Sequence, residues 1–169
     1  MILTSTKIEG VYIIDLEVHT DKRGEFARTF CQKEFEQIGF AKTFVQINHS
    51  YNKTKGTLRG LHFQYYPYQE TKLIRCIRGS IMDVIVDIRK GSTTFLQHLS
   101  VALSDKNRKM ILIPEGCAHG FQTLENNTEL IYHHTAFYTP NSDGGLNFKD
   151  PMLDINWKLP ISLISEKDK

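Results

Sequence analysis

The feature that most constrains the fold is a succession of short, strand-like runs separated by turn residues. Runs rich in Val, Ile, Leu, Thr, Phe and Tyr occupy residues 11–18, 42–48, 72–78, 80–88, 98–103, 109–113, 121–123 and 129–136. Between them stand turn-forming segments such as Lys90-Gly91-Ser92 and Pro114-Glu115-Gly116. Short strands at this spacing predict a sandwich or barrel rather than an alternation of strands and helices.

Helix is confined to two short segments. Residues 33–38 form one helix, which Gly39 stops at its carboxyl end. Ser165 can cap a second helix that begins one residue later. The chain has 169 residues and contains no linker-like segment, so we expect a single domain over residues 1–169. The predicted fold class is all-β, a jelly-roll barrel with a few short helices.

Composition excludes several classes of function. The net charge is only +2 and the signs are interspersed, so no basic stripe indicates nucleic-acid binding. No apolar run approaches the roughly 20 residues of a membrane-spanning helix. Cys31, Cys76 and Cys117 are odd in number and widely spaced, which argues against a disulfide framework. With no signal-like segment in the first ten residues, we expect a cytoplasmic protein.

Residues 80–87 carry two acids in an otherwise apolar strand. Because successive side chains of a strand point to opposite faces, Asp83 and Asp87 share one face with two isoleucines, while the other face is wholly apolar. Acids on an inner face suit a barrel whose interior is a binding cavity. The alternative is that both acids lie near strand ends, where they cap turns or pair with Arg89 or Lys90.

A first candidate for chemistry is His62, in the segment 58–64. Strand alternation puts Leu58, Gly60, His62 and Gln64 on one face and Arg59 with two apolar residues on the other. The glycine leaves room beside the histidine, and an imidazole there can act as a general base near neutral pH. A single histidine can equally be structural.

A second candidate is His119, in the P-x-G-x-x-H spacing that begins at Pro114. This spacing is the second sequence signature of cupin barrels, and its histidine enters the barrel mouth. Metal-binding cupins supply H-x-H in their first motif, whereas residues 62–64 here read His-Phe-Gln. The available donors are His62 and His119, with Gln64 and Glu70, and they make a poor ligand set for a transition metal. We therefore expect no metal.

Two further sets are less specific. Tyr132 and His134 share a strand face, and a tyrosine in the same cavity as His62 would place a proton donor across from a proton acceptor. Such aromatics also fill cores. His133 points to the other face, which argues against a His133–His134 metal pair. Arg23, Arg59, Lys72 and Arg75 could bind a phosphorylated substrate or form a solvated surface.

Two motifs together are specific: residues 59–64 read RGLHFQ, and residues 114–121 read PEGCAHGF. With Asp21-Lys22-Arg23-Gly24, the segment 44–50, Tyr138-Thr139-Pro140 and Ile155-Asn156-Trp157, the sequence resembles the dTDP-4-dehydrorhamnose 3,5-epimerase family nearly end to end. The resemblance implies a cupin-type jelly roll that epimerises a nucleotide-linked 4-keto-6-deoxyhexose without cofactor or metal. It also implies a homodimer formed through the N-terminal strands.

The resemblance assigns four catalytic roles. His62 matches the base that removes a proton next to the C4 ketone, and Asp168 matches the carboxylate that orients it. Tyr132 matches the acid that returns a proton from the opposite face. Lys72 matches the cation near the C4 oxygen, where enolate charge develops. Substrate contacts carried over from the family are Arg23, Phe26, Gln46, Asn48, Arg59, His119, Tyr138 and Asp143.

Four departures from the family pattern affect the nucleotide side. Arg28 stands where a glutamate is usual, Phe148 where a tryptophan is usual, Asp143 where a glutamate is common, and Ile47 precedes Asn48 where the family has an acid. The nucleotide is therefore left open among dTDP, GDP and CDP. The alternatives are an epimerase that acts at C3 only or C5 only, a 3,4-ketoisomerase, a non-catalytic sugar-binding cupin and a metal-dependent dioxygenase.

Overall fold

Two antiparallel sheets and a separate hairpin make up the fold of this computed structural model, which describes residues 1–169. The strands are β1 (Ile2–Ser5), β2 (Tyr12–Asp15), β3 (Val18–Asp21), β4 (Gly24–Ala27), β5 (Gln46–Asn52), β6 (Leu58–Gln64), β7 (Lys72–Arg78), β8 (Ser80–Asp87), β9 (His98–Ser104), β10 (Met110–Ile113), β11 (Cys117–Thr123), β12 (Thr128–His134) and β13 (Asp143–Gly145). The first sheet has six strands in the order β1-β2-β10-β7-β12-β5, and the second has five in the order β13-β6-β11-β8-β9. Strands β3 and β4 pair only with each other.

The main core lies between the two sheets. One buried cluster joins Ile74 and Ile111 of the first sheet to Ile85 and Phe121 of the second. Burial of these side chains is what holds the sheets face to face. Tyr132 of β12 packs against this cluster while remaining only partly buried. The core therefore supports a residue that also reaches the cavity described below.

The two predicted helices are present. Helix α1 (Gln32–Glu36) buries Phe35 against the outer side of the first sheet, and Gly39 follows it with a φ of +80°. A 3₁₀ helix covers Glu166–Asp168, and its cap is Ser165, whose hydroxyl accepts a hydrogen bond from the Asp168 N–H (3.2 Å). None of the helices is long or apolar enough to cross a membrane.

The all-β jelly-roll prediction is confirmed, but several strand bounds were wrong. The run 11–18 is two strands, because β2 pairs within the first sheet while β3 turns away to pair with β4. Residues 42–45 are not strand: Phe44 packs in an aromatic cluster with Phe30 and Phe40, and β5 instead continues to Asn52. The strand predicted at 121–123 begins at Cys117, because β11 pairs with β8 along its whole length.

The two acids of β8 have different roles. Asp87 pairs with Arg89 at the end of the strand, as one interpretation predicts, and Asp83 lies on the inner face, as the other predicts. Asp87 is fully buried and accepts hydrogen bonds from Arg89 Nε (2.8 Å), Ser92 Oγ (2.6 Å) and Thr94 Oγ1 (2.7 Å). Burial alone would raise the pKa of this carboxyl, but these donors hold it well below its usual range. Asp83 is also fully buried, and it bonds His119 inside the barrel.

Candidate active site

One cavity of about 250 Å³ opens between the two sheets, and side chains from both sheets line it. Its wall includes four histidines, one lysine and one arginine, and no carboxylate. A cationic and imidazole-rich wall favours an anionic ligand or developing negative charge. The lining residues are Asn48, His49, Ser50, Arg59, His62, Lys72, His119, Phe121, Tyr132 and His134.

His62 is held by the carboxylate of Asp168. Its Nε2 lies 2.7 Å from Asp168 Oδ1, and the Gly60 N–H donates to Asp168 Oδ2 (3.2 Å). A carboxylate can only accept, so Nε2 carries the proton and donates it to Asp168. The lone pair is therefore on Nδ1, which leaves the imidazole oriented as a base.

The electrostatic surroundings keep His62 neutral. Burial lowers the pKa of His62, and the positive charge of Lys72 and the neighbouring His119 act in the same direction. The hydrogen bond and charge of Asp168 oppose this shift without cancelling it. The imidazole is therefore available as a proton acceptor at neutral pH and somewhat below.

Strand β6 departs from strict alternation next to His62. His62 pairs with His119, and Arg59 pairs with Phe121. The interval from Arg59 to His62 is therefore one residue longer than the interval opposite it on β11. This extra residue is a β-bulge, and it brings Arg59 and His62 to the same cavity. The prediction that Arg59 points to the face opposite His62 is therefore wrong.

Gly60 lies within this bulge, and its role differs from the predicted one. Its φ is +129°, which side chains rarely adopt, and a Cβ there would lie 2.4 Å from the Cα of Gly120. The glycine therefore allows β6 and β11 to approach each other closely. It does not leave open space beside the histidine.

Tyr132 reaches the cavity from the other sheet. Its hydroxyl lies 3.0 Å from Ser50 Oγ, and burial raises the pKa of the phenol well above its usual range. The phenol is therefore protonated at neutral pH. Ser50 in turn accepts a hydrogen bond from Asn52 Nδ2 (3.4 Å), and Asn52 Oδ1 accepts from Arg59 Nε (2.7 Å).

Lys72 is buried beside His62. Its ammonium group donates to the carbonyl oxygen of His62 (3.4 Å) and lies 3.3 Å from Glu70 Oε1. Burial alone would raise the pKa of Glu70, but the hydrogen bond from His134 and the charge of Lys72 lower it. The cation in the cavity therefore has a partly buried carboxylate as its counter-ion.

His119 is paired with the buried Asp83. Its Nε2 lies 2.7 Å from Asp83 Oδ1, while Asp83 Oδ2 is buried without a partner. Burial raises the pKa of Asp83, although His119 and Lys72 counteract part of the shift. His62, His119 and His134 are thus three cavity histidines, each with its own carboxylate. No group of three or more His, Cys, Asp or Glu side chains has the arrangement of a metal site.

The predicted substrate-binding residues fall into two groups. Asn48, Arg59 and His119 line the cavity. Gln46 is next to it, since its Nε2 donates to Asn48 Oδ1 (3.3 Å) and its Oε1 accepts from the Tyr138 N–H (3.2 Å). The exposed Tyr138 is thereby tied to the same edge.

The other predicted contacts lie outside this cavity. Asp143 of β13 pairs with Lys167 and lines a second concavity, whose wall also includes His62 and Asp168. Arg23 and Phe26 lie on the β3–β4 hairpin, where they line a separate surface concavity. The Arg23 guanidinium bonds Asp21, and Phe26 is 72% exposed.

Sequence reasoning missed Ser50 and Glu70 as parts of the site. A signal for Ser50 existed: Gln46, Asn48, Ser50 and Asn52 form an unbroken polar face of one strand. Glu70 precedes β7 and carries no periodic signal. The sequence indicates it only as a weak metal donor, whereas the structure pairs it with Lys72 and His134.

Comparison with known proteins identifies a family that this chain matches over nearly its whole length. Residues 5–169 match the family described as dTDP-4-dehydrorhamnose 3,5-epimerase. A protein of that name from Salmonella typhimurium is 45% identical over 167 residues, which cover 98% of this chain and 90% of the relative.

Two solved structures are similar over nearly the whole chain. The dTDP-4-dehydrorhamnose 3,5-epimerase of Bacillus anthracis, with TDP and pyrophosphate bound, has a TM-score of 0.95 at 38% identity and covers 98% of this chain and 95% of its own. The dTDP-6-deoxy-D-glucose-3,5-epimerase of Legionella pneumophila, in complex with dTDP-4-keto-L-rhamnose, has a TM-score of 0.93 at 38% identity, with 98% and 88% covered.

Proposed function

The chain belongs to the dTDP-4-dehydrorhamnose 3,5-epimerase family, and from this premise we propose that it epimerises a dTDP-linked 4-keto-6-deoxyhexose at C3 and C5. The Legionella relative binds a sugar of this kind, dTDP-4-keto-L-rhamnose. The chain is thus an isomerase that acts on a nucleotide sugar. Its three free cysteines agree with a reducing compartment, and we place it in the cytoplasm.

One observation carries the proposal: a base and an acid enter the same cavity from different sheets. His62 comes from β6 of the five-stranded sheet, and Tyr132 comes from β12 of the six-stranded sheet. The imidazole is neutral and the phenol is protonated, as their surroundings require. A sugar ring held between them would expose one face to each residue. Removal of a proton on one face and its return on the other inverts a carbon centre.

The first step is proton abstraction. His62 Nδ1 takes the proton from the carbon next to the C4 ketone, the C–H bond breaks, and its electron pair moves to form the enolate. Asp168 accepts the Nε2–H hydrogen bond and stabilises the imidazolium that results. Lys72 lies where its charge can stabilise the enolate oxygen. The ketone itself acidifies the proton, so this chemistry requires no cofactor.

The second step is reprotonation. Tyr132 donates its phenolic proton to the opposite face of the enolate, a new C–H bond forms, and the carbonyl is restored. The phenolate then regains a proton from solvent, with Ser50 as its hydrogen-bond partner, and the His62 imidazolium releases its proton to solvent, which restores both groups. Because C3 and C5 both flank the C4 ketone, the same pair of residues can invert both centres.

The substrate-binding side chains match an anionic ligand. Arg59 and His119 add positive or donor character at the cavity, and Asn48 contributes an amide. A cavity of about 250 Å³ suits the sugar ring, with the nucleotide outside it against Tyr138 and Gln46. Asp143 lines a neighbouring concavity that shares His62 with this cavity, and its carboxylate pairs with Lys167.

The placement of Arg23 and Phe26 supports the homodimer. Both residues lie on a hairpin that pairs with neither sheet, and the aromatic ring of Phe26 is exposed. We therefore assign them to the cavity of the partner subunit, which the N-terminal strands of a second copy would reach. Arg28, which directly follows β4, donates to Glu34 (2.7 Å), so its charge is partly compensated within its own subunit.

Mixed dimers test this assignment. Arg23→Ala and His62→Ala chains are each expected to form slow homodimers, but the mixed dimer should have about half of the wild-type activity, because one of its two sites is intact. The measurement is turnover by the separated mixed dimer. Co-expressed dimers no faster than either parent would show that Arg23 acts in its own subunit or not at all.

A panel of substrates tests the proposed function. We expect kcat/KM to be highest for the dTDP-linked 4-keto-6-deoxyhexose and far lower for the GDP- and CDP-linked sugars. NMR of the product identifies inversion at C3, at C5 or at both. Preference for another nucleotide, or inversion at one centre only, would replace the proposal with one of the alternatives above.

A further inference from the structure

A chain of hydrogen bonds crosses the first sheet beside the cavity and passes through His134. His134 Nε2 lies 3.3 Å from Asn48 Nδ2, and His134 Nδ1 lies 2.7 Å from Glu70 Oε2. The other carboxylate oxygen of Glu70 lies 3.3 Å from Lys72 Nζ. His134 therefore links a proposed substrate-binding amide to the proposed catalytic lysine.

The direction of every bond in this chain is determined by its two ends. At one end, the backbone N–H of Tyr138 can only donate, so Gln46 Oε1 accepts and Gln46 Nε2 donates to Asn48 Oδ1. Asn48 must then donate through Nδ2 to the lone pair of His134 Nε2. At the other end, the carboxylate of Glu70 accepts from both Lys72 and His134 Nδ1–H. All of these hydrogen bonds can form together only if His134 is neutral and carries its proton on Nδ1.

The surroundings of His134 favour this arrangement. The histidine is 8% exposed, lines the cavity, and stacks against the ring of Tyr132 at a centroid distance of 6.2 Å. The adjacent His133 has different neighbours. It points to the other face of β12, packs on Phe44, and has only a long contact to the carbonyl of Leu73 (3.4 Å).

We propose that His134 is a positioning residue that fixes the side-chain amide of Asn48 for substrate binding, with Glu70 anchoring it to Lys72. With Nε2 as an acceptor, His134 holds the Asn48 amide in one of its two possible orientations. Without that acceptor, only the hydrogen bond from Gln46 Nε2 holds the amide, so bound substrate must restrict it further. The proposal rests on the proposed function, because Asn48 and Lys72 take their roles from it.

Two isosteric variants separate the two hydrogen bonds of His134. In His134→Gln, the amide oxygen takes the place of Nε2 and still accepts from Asn48. In His134→Asn, the shorter amide takes the place of Nδ1, so it donates to Glu70 but leaves Asn48 without an acceptor. We expect His134→Asn to raise KM about fivefold to tenfold with kcat nearly unchanged, as for loss of one hydrogen bond. His134→Gln should keep KM within about twofold of the wild type, and His133→Asn is the matched control.

A second measurement does not depend on the variants. Nitrogen-15 NMR of the histidine rings distinguishes the two neutral tautomers, and we expect His134 to carry its proton on Nδ1 in the wild-type protein. The opposite tautomer overturns the proposal. So do equal KM values for the two His134 variants, whether both match the wild type or both rise. An inactive wild-type protein would instead refute the proposed function, which separates the two failures.

Discussion

Replacement of His62 by alanine is expected to lower turnover by roughly 100- to 10,000-fold, the usual contribution of a general base. The imidazole is the neutral acceptor on its side of the cavity, and its Nε2–H is already engaged by Asp168. Arg59, Lys72 and His119 would still contact the substrate, so its dissociation constant should change little. Steady-state kinetics and a separate binding titration measure the two effects. Turnover within tenfold of the wild type would contradict the assignment of His62 as the base.

Asp168→Asn is the companion variant, and its effect on the pH profile has a definite sign. The base must be unprotonated, so kcat/KM falls as the pH drops through the pKa of His62. Burial lowers this pKa below the ordinary value of about 6.5, while Asp168 raises it. Removal of the Asp168 charge lowers the pKa further, so the acid limb should move to lower pH while the plateau falls. An acid limb that moves to higher pH would show that Asp168 does not act through His62.

Tyr132→Phe is expected to reduce formation of the epimerised product by at least about 100-fold while proton abstraction continues. The variant removes only the hydroxyl, which bonds Ser50, and keeps the ring that packs against the core. His62 can still remove the proton and return a solvent-exchanged one to the same face. In heavy water, recovered substrate should therefore contain deuterium without inversion.

Tyr51→Phe is the matched control for this variant. Tyr51 lies on the neighbouring strand β5, half-exposed, and its hydroxyl bonds Asn127 outside the cavity. It should turn over at the wild-type rate. If Tyr132→Phe forms epimerised product as fast as this control, another group supplies the proton.

The fold was largely predictable from local pattern, because each strand has its own apolar periodicity. The alternation along β8, for example, correctly separates the face of Asp83 and Asp87 from an apolar face. Periodicity does not predict how strands that are distant in the sequence pair with each other. The bulge in β6 depends on how Arg59 and His62 pair with β11, about sixty residues later along the chain, and no periodicity in the segment 58–64 indicates it.

Individual residues of the site were predictable from the sequence, but the contacts between them were not. Asp168 lies 106 residues from His62, and only the family resemblance connects the two. The resemblance did not connect Glu70 with His134, and sequence pattern did not either, because the pair combines a loop residue with a residue on β12. The position of Arg23 and Phe26 on a hairpin outside the cavity reflects the pairing of β3 with β4 alone, which sequence pattern did not indicate.

Solvent deuterium incorporation tests the central claim most directly. The wild-type protein is incubated in heavy water with the dTDP-linked 4-keto-6-deoxyhexose, and NMR follows the signals of the C3 and C5 protons. The account predicts deuterium at both carbons and inversion at both, since each proton is removed by His62 and replaced from Tyr132. Binding of the sugar with no deuterium at either carbon would contradict it and would indicate a sugar-binding protein without catalysis.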